Sequence, residues 1–480
     1  MIVSKQNNSC LVGFWLLLCF VLWPLTGCHQ PEIAKTDSVK GCKGCHKISL
    51  DSNHNLKCTL CHKGHGSESL KDKAHKGLVA SPSSPADAPR VCGECHLKEV
   101  KSITRSSHYT LKNEIATVWK AFFPEDVPPE VKDIHGVKRP RTKRELVMDM
   151  LARRCLRCHV YYEGDSYWGV RRGKGCAACH LPIGNRQMHH FGRPTIKNCL
   201  SCHYSNFVGW DYVGRFEKDY PEDFRAPLKK GKHIPRPYGI EWLPMTPDVH
   251  FRAGLFCTDC HRKAEFHVEA EAGEPGRVSC GDCHREISRR PGHDSQQGCV
   301  ADCQSCHALW TFWDQGRSVM RQDVLDPEDW EYLYVQGSSE VEEQIKRALE
   351  LDDSQEITYF MTDKFSGLRY PGLWFAGFER RRWAPVVLGK SSSGRISVLR
   401  PLLDLSLSYA DDMGETVFDN LRGKRFLDWQ VIYPSWPFLP NTIGKSVGFL
   451  VPYRPHSIGK ADMARSISVI NALQGCSLGD

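Results

Sequence analysis

Apolar residues are distributed along this chain in three ways, and each predicts a different structure. One unbroken apolar run extends from Cys10 to Leu25, with Pro24 inside it and Lys5 as the only charge ahead of it. Sixteen residues fall short of the ~20 a spanning helix needs, so the run reads as an export signal. Further on, the apolar and aromatic stretch from Ile115 to Phe123 reads as a helix. After residue 311 the pattern changes again. Ser339-Glu-Val-Glu342 reads as a capping box opening a helix to about Leu351. Strand-like runs follow at 356–361, 396–409, 429–433 and 446–453, divided by Gly- and Pro-rich turns. These elements predict an α+β C-terminal domain over residues 311–480, a cap or docking module, with Trp374, Phe375 and Trp383 in its core.

Composition narrows the class. The chain has 480 residues, 41% hydrophobic and 25% charged, which excludes disorder and a collagen-like fibre. A single long apolar run excludes a polytopic membrane protein. Twenty-three cysteines are too many for an ordinary reduced cytosolic protein.

Their spacing explains the number. Nine Cys-x-x-Cys pairs are each followed at once by histidine. They are Cys42, Cys45 and His46; Cys58, Cys61 and His62; Cys92, Cys95 and His96; Cys155, Cys158 and His159; Cys176, Cys179 and His180; Cys199, Cys202 and His203; Cys257, Cys260 and His261; Cys280, Cys283 and His284; and Cys303, Cys306 and His307. They are numbered below as the first to ninth motifs. Cys-x-x-Cys-His is the attachment signature of c-type haem. Two thiols form thioethers with the two vinyl groups, and the next residue reaches the iron from the same side. A zinc ribbon has no need of the histidine, and a thioredoxin-like pair would occur once. The residues between the cysteines vary freely, from Lys-Gly to Ala-Ala to Thr-Asp. The sequence therefore predicts nine covalently bound haem c groups.

From Cys42 to His307 there is about one motif per 30 residues, too little polypeptide for a conventional core. Porphyrins would supply the apolar interior, wrapped in short helices and loops. The expected fold is a mostly irregular and α-helical multihaem cytochrome over residues 28–310, preceded by a signal over 1–27 and followed by the haem-free α+β domain. Outside the signal, the haem cysteines and Cys28, only Cys299 and Cys476 remain. They either form a disulfide in an oxidising compartment or stay unpaired.

Each iron needs a second ligand. Histidines outside the motifs number twelve between Cys28 and His307: His29, His54, His65, His75, His108, His135, His189, His190, His233, His250, His267 and His293. Methionines in the haem region are only Met148, Met150, Met188 and Met245. Bis-histidine ligation is the expectation, and it gives lower potentials than His/Met. The candidate distal ligands are His54, His65, His75, His108, His135, His189, His250, His267 and His293. Motif spacings of 21 and 23, then 23 and 23, suggest a duplicated three-motif unit. In both units a histidine precedes the third motif by ten residues, His189 and His293. His190 competes with His189, since neighbouring side chains point differently. His29, beside Cys28, reads as exposed.

Several stretches resemble multihaem cytochromes from the envelopes of metal- and sulfur-respiring bacteria. They are Cys61-His-Lys-Gly-His65, Ala74-His75-Lys-Gly-Leu-Val, Ser107-His108-Tyr-Thr, Gly209-Trp-Asp-Tyr-Val-Gly-Arg-Phe-Glu and Asp248-Val-His250. The resemblance covers most of residues 42–307 and implies that His75, His108 and His250 are distal ligands. Leu25-Thr26-Gly27-Cys28 likewise looks like a bacterial lipobox, the alternative being an ordinary signal peptide cut nearby. It implies acylation of Cys28 and stable anchoring in the cell envelope, at the outer membrane or periplasmic face. Pro455-His456-Ser-Ile-Gly459 resembles the Pro-His-Thr-Ile-Gly segment that precedes the last haem motif in related proteins. Eight residues on, Ile467, Ile470 and Asn471 stand where Cys, Cys and His would be. That pattern is either a lost tenth site or a helix entered by a turn.

The basic run from Lys138 to Arg144 and the net charge of +8 are assigned to balancing haem propionates. Nucleic-acid binding has no support, because no recognised module is present. The leading expectation is a membrane-anchored electron carrier of anaerobic respiration, with other redox proteins or cytochromes as partners. The competing expectation is an oxidoreductase of small nitrogen or sulfur oxyanions. That enzyme needs one iron with an open sixth position beside Arg, Lys, His or Tyr.

Overall fold

The computed structural model describes residues 41–165, 173–183, 188–203, 210–218, 241–267, 278–286, 293, 300–325, 338–350, 358–384, 386–401, 405–423, 429–433 and 450–474. The apolar run, Cys28, His29, His233, Cys299 and Cys476 lie outside the described residues.

The segment between the third and fourth motifs forms two helices, α1 (Lys112–Phe122) and α2 (Lys143–Arg153). On α1 the positions Ile115, Val118, Trp119 and Phe122 are buried, a spacing that lays them along one helical stripe. A capping box starts α2. The Thr142 hydroxyl accepts from Glu145 N at 3.2 Å, and Glu145 Oε2 accepts from Thr142 N at 2.9 Å. This satisfies donors that a bare helix end leaves unpaired.

Downstream come β1 (Thr311–Gln322), α3 (Ser339–Glu350), β2 (Leu373–Ala384), β3 (Val387–Ser391), β4 (Arg395–Pro401), β5 (Leu405–Ala410), β6 (Thr416–Arg422), β7 (Trp429–Tyr433), β8 (Leu450–Tyr453) and α4 (Met463–Gln474). One sheet has the order β6-β5-β1-β2. In it β5 runs parallel to β1 (Leu407 opposite Val319), while β2 is antiparallel to β1 (Ala376 opposite Val319). The other sheet has the order β7-β3-β4-β8, with Val300–Ala301 beside β4 in parallel.

The elements differ from the sequence expectation in several places. The single run expected over 396–409 is two strands, β4 and β5, in different sheets. The long strands β1 and β2, and the shorter β3 and β6, were not expected. The α3 helix begins at Ser339 itself, so Ser339 lies within it and does not cap it; Glu340 accepts from Thr362 N at 2.8 Å and from the Lys364 ammonium at 2.6 Å. Ile467, Ile470 and Asn471 lie on α4, a helix entered from the turn at 455–459.

A single apolar core joins parts of the chain on both sides of residue 310. Trp119, Leu146, Met150 and Leu151 from α1 and α2 pack with Ile345, Leu373, Trp374, Phe375, Leu405 and Leu407 from α3 and the first sheet. The side chain of Trp383 lies outside the described residues. Through this core runs a buried charge network. Asp149 Oδ2 accepts from Arg153 at 2.7 Å, Arg321 at 2.9 Å and Trp374 Nε1 at 2.8 Å. Arg321 Nε also donates to Asp323 at 2.9 Å, and the Tyr409 hydroxyl donates to the same carboxylate at 2.8 Å. By contrast, buried side chains between residues 41 and 110 are few and small: Ser83, Ser84, Ala88, Val100, Ser102 and Ser106.

Candidate metal centres

Every motif carries a short helical turn. Examples are Cys42–Cys45, Cys58–His62, Cys257–Cys260, Cys280–Cys283 and Cys303–His307. At the fourth motif the turn is a 3₁₀ helix, Cys155–Cys158. One helical turn puts both cysteines on the same face and sends the next residue out at its end.

The third motif is the shortest of these devices. Its 3₁₀ turn spans Cys92–Glu94 and leaves Cys95 just past the end, with Cys95 N donating to Cys92 O at 3.2 Å and His96 N to the same oxygen at 2.8 Å. Those two hydrogen bonds carry the turn through to the ligand position. Cys95 is exposed, as are Cys45, Cys179, Cys280, Cys283 and Cys303. A thiol that joins a vinyl group at a porphyrin rim has to be left uncovered by its own chain.

Among the described residues, eight of the nine motif histidines are seen to face a second histidine ring. The pairs and their ring-centre separations are His46–His75 at 5.9 Å, His62–His189 at 6.2 Å, His96–His54 at 6.3 Å and His180–His267 at 6.1 Å. The others are His203–His108, His284–His250 and His307–His293, each at 6.1 Å, and His261–His456 at 6.3 Å. The angle between rings runs from 25° to 73° while the separation hardly changes. Contact between rings alone links spacing to tilt. Constant spacing at varied tilt leaves room for a body between the rings. A metal–imidazole bond of about 2 Å on each side, plus roughly 1.1 Å from each ring centre to Nε2, gives about 6.2 Å. The eight pairs fit an iron held between two imidazoles.

The tautomers agree with that fit. A carbonyl or carboxylate oxygen only accepts, so the nitrogen beside it carries the proton. His62 Nδ1 donates to Val79 O at 2.9 Å, His180 Nδ1 to Gly192 O at 2.8 Å and His307 Nδ1 to Gly459 O at 3.0 Å. His261 Nδ1 donates to Glu265 at 2.8 Å, His54 Nδ1 to Asp51 at 3.0 Å and His250 Nδ1 to Asp248 at 2.9 Å. In all six, Nε2 keeps its lone pair for a metal and the ring is fixed in orientation. Burial holds His108, His189 and His267 below the usual histidine pKa, which keeps them neutral, the form that ligates. Among the described residues no group of three or more His, Cys, Asp or Glu surrounds a single point. Two axial nitrogens would not make one, since the other four donors to a haem iron belong to the porphyrin.

The fourth motif is built differently. His159 is 2% exposed. Its Nε2 donates to Lys364 O at 2.8 Å, and its Nδ1 accepts from Tyr161 N at 3.1 Å. This is the opposite tautomer. The ring stacks on Phe365 at 4.4 Å and 14°. An iron about 2 Å from Nε2 would fall almost on the Lys364 carbonyl, so the fourth motif does not admit a haem unless the turn at 363–365 moves. Around it stand Tyr161, Tyr162 and Lys364, whose buried ammonium pairs with Glu340 at 2.6 Å and lies 4.9 Å from the Tyr162 ring centre. Arg157 pairs with Asp165 at 3.0 Å.

Of the nine candidate distal ligands, the structure brings seven opposite motif histidines: His54, His75, His108, His189, His250, His267 and His293. The His135 ring donates to its own turn, Nδ1 to Asp133 O at 2.8 Å. His65 faces no motif histidine; its backbone N–H closes the turn onto Ala74 O at 3.0 Å. His190 points elsewhere, its Nε2 2.8 Å from Ser49 Oγ. His189 and His293 hold the same place in the two sequence units yet face different motifs, the second and the ninth.

His456 is the residue that sequence reasoning passed over as a ligand. It stands opposite His261, almost two hundred residues away in the chain. The Pro-His-Ser-Ile-Gly resemblance was the signal available. Comparison with family models, with curated proteins and with solved structures finds no match for this chain. Among the described residues no helix is long and apolar enough to cross a membrane.

Proposed function

We propose that the chain is a multihaem c-type cytochrome that carries electrons in the cell envelope, tethered by lipid on Cys28, toward an extracytoplasmic acceptor or a partner cytochrome. The observation that carries this reading is the set of eight facing histidine pairs. An iron with imidazole on both sides has no open position for substrate and exchanges electrons only. Haem supplies the redox chemistry. The chain's part is to orient rings such as His62, His180 and His307 by an Nδ1 hydrogen bond that leaves Nε2 unprotonated, and to space the attachment turns.

The test is the intact mass of the mature protein together with electron paramagnetic resonance. Eight haem masses with eight low-spin bis-histidine signals are expected, and a ninth mass only where the turn at 363–365 moves to open the fourth motif. A mass short by one haem at the fourth motif would remove that site from the reading. Fewer than eight haems would sink the reading as a whole.

A second reading, an oxidoreductase of small oxyanions, is favoured by one observation. The fourth motif differs from the rest, and it brings Tyr161, Tyr162, Lys364 and Arg157 to one neighbourhood. A high-spin signal that responds to added nitrite or cyanide would support that reading, and nine low-spin haems inert to both would dismiss it.

A further inference from the structure

The Nδ1 hydrogen bonds of the facing rings are of two chemical kinds. His62, His180 and His307 donate to backbone carbonyls, those of Val79, Gly192 and Gly459. His54, His250 and His261 donate instead to side-chain carboxylates, those of Asp51, Asp248 and Glu265, at 3.0, 2.9 and 2.8 Å. The neutral acceptors belong to the second, fifth and ninth motifs. The charged ones belong to the third, whose His96 faces His54, to the eighth, whose His284 faces His250, and to the seventh, which contains His261.

Each carboxylate is placed by the chain next to its histidine. Asp51 Oδ1 accepts from Asn53 N at 2.9 Å and His54 N at 3.0 Å, while Oδ2 accepts from Phe191 N at 2.9 Å. Asp248 caps the helical turn that carries its histidine, accepting from His250 N at 2.6 Å. Glu265 follows His261 by four residues, on the short turn Lys263–Phe266.

We infer that Asp51, Asp248 and Glu265 are tuning residues that lower the redox potentials of the third, eighth and seventh sites. The inference deepens the proposed function and rests on it, because the potentials belong to haems that these rings would hold. A carboxylate accepting from Nδ1 draws the shared proton toward itself and makes Nε2 a stronger donor. Its fixed negative charge also favours the oxidised iron, which carries one more positive charge. A carbonyl orients the ring equally well and brings no charge. Reduction adds one electron to the iron and breaks no bond, so the difference is read as a potential and leaves the ligands in place. Water screening ranks the three. The Asp248 side chain is 2% exposed, Asp51 15% and Glu265 27%. The effect is therefore largest at the eighth site and smallest at the seventh.

The test uses the mature holoprotein. Glu265→Gln and Asp51→Asn each keep an oxygen acceptor and remove the charge. Each should move one haem potential positive in a redox titration, and the Asp51 shift should be the larger. Electron paramagnetic resonance should show changed g-values for one low-spin signal, with no signal lost and no high-spin haem gained. Glu130→Gln is the control: its exposed carboxylate pairs with Lys132 at 2.8 Å, and every potential should stay in place. Glu265 is partly exposed, so its substitution leaves the interior intact and remains readable even if Asp51→Asn fails to fold. Unmoved potentials and g-values in Glu265→Gln with all haems retained would overturn the inference. A shift in Glu265→Asp, which keeps the charge, as large as that in Glu265→Gln would overturn it too, since placement and not charge would then be at work. Intact mass separates this failure from failure of the function: a full set of haems with unmoved potentials defeats only the tuning, while fewer than eight haems in the parent defeat the function.

Discussion

Asp211 decides whether His456 stays in place. Its carboxylate is 1% exposed, and Oδ2 accepts from the Tyr453 hydroxyl at 2.8 Å and from His456 N at 2.7 Å. Burial and the neighbouring carboxylate hold the Tyr453 phenol well above its ordinary pKa, so it stays a donor. Hydrogen bonds to a charged group contribute about 1.5–3 kcal/mol each. Removing both in Asp211→Ala, with other anchors of the turn left intact, should cost the closed turn about 3 kcal/mol. At 1.4 kcal/mol per tenfold, the population with His456 swung off its site should rise by roughly 100-fold. The assay is the rate at which added cyanide is trapped on a single haem, followed optically, beside the high-spin fraction in electron paramagnetic resonance. Asp211→Asn keeps an acceptor without the charge and should give an intermediate rate. If Asp211→Ala folds with all its haems and traps cyanide no faster than the parent, the carboxylate does not hold the ligand turn and the reasoning fails.

Other outcomes follow from the same geometry. His189→Met should move one haem potential positive in a redox titration, and His190→Met should leave every potential in place because its ring is turned to Ser49. Asp149→Ala leaves Arg153 and Arg321 buried without their shared carboxylate and should cost about 3–5 kcal/mol in urea unfolding; a loss under about 1 kcal/mol would show that the network is dispensable. Glu145 is held below the usual carboxylate range, first by the Arg141 backbone N–H. A depressed folded pKa means that its cap contribution is complete above the unfolded pKa and is lost as pH falls through the folded one. The stability gap between the parent and Glu145→Gln should therefore shrink on acidification below the ordinary carboxylate range. Cys28→Ala should release the protein from membranes or block its processing; full retention with unchanged mobility would refute the lipid anchor.

What was legible in the sequence was whatever rests on local chemistry. Cys-x-x-Cys-His is a five-residue device, so its nine copies could be read without any fold. A distal ligand is only a histidine within reach in space, and His65 and His135 have the same local look as His75. Which of them meets a motif histidine is set by turns dozens of residues away. The repeat argument shows the limit plainly. It found His189 and His293 by equal offsets, but the offset does not determine which motif each ring faces. Strands β1 and β2 escaped notice for a related reason. Asp314, Arg317 and Arg321 interrupt the apolar alternation of the first, and Glu379, Arg380, Arg381 and Arg382 that of the second. Yet the two pair along nearly their whole length, so ladder hydrogen bonds carry what side-chain pattern does not. The helix at 143–153 was hidden in a basic run whose Thr142 and Glu145 are its cap.

The turn at 453–459 shows why a segment without any motif belongs with the facing histidine pairs. Besides Asp211, it is held by Asp248, whose Oδ2 accepts from Ile458 N at 2.7 Å while Oδ1 accepts from His250 Nδ1 at 2.9 Å. At its other end Gly459 N donates to His307 O at 2.9 Å and Gly459 O accepts from His307 Nδ1 at 3.0 Å. One short turn thus supplies a ring opposite His261, shares the carboxylate that orients the ring opposite His284, and orients His307 itself. The histidine geometry of the seventh, eighth and ninth motifs therefore rises or falls with a single piece of chain. Loosening it at Ile458 through Asp248→Asn should disturb the His250 ring and the His456 turn together. Loss of one signal without the other would show that the two oxygens of Asp248 act independently.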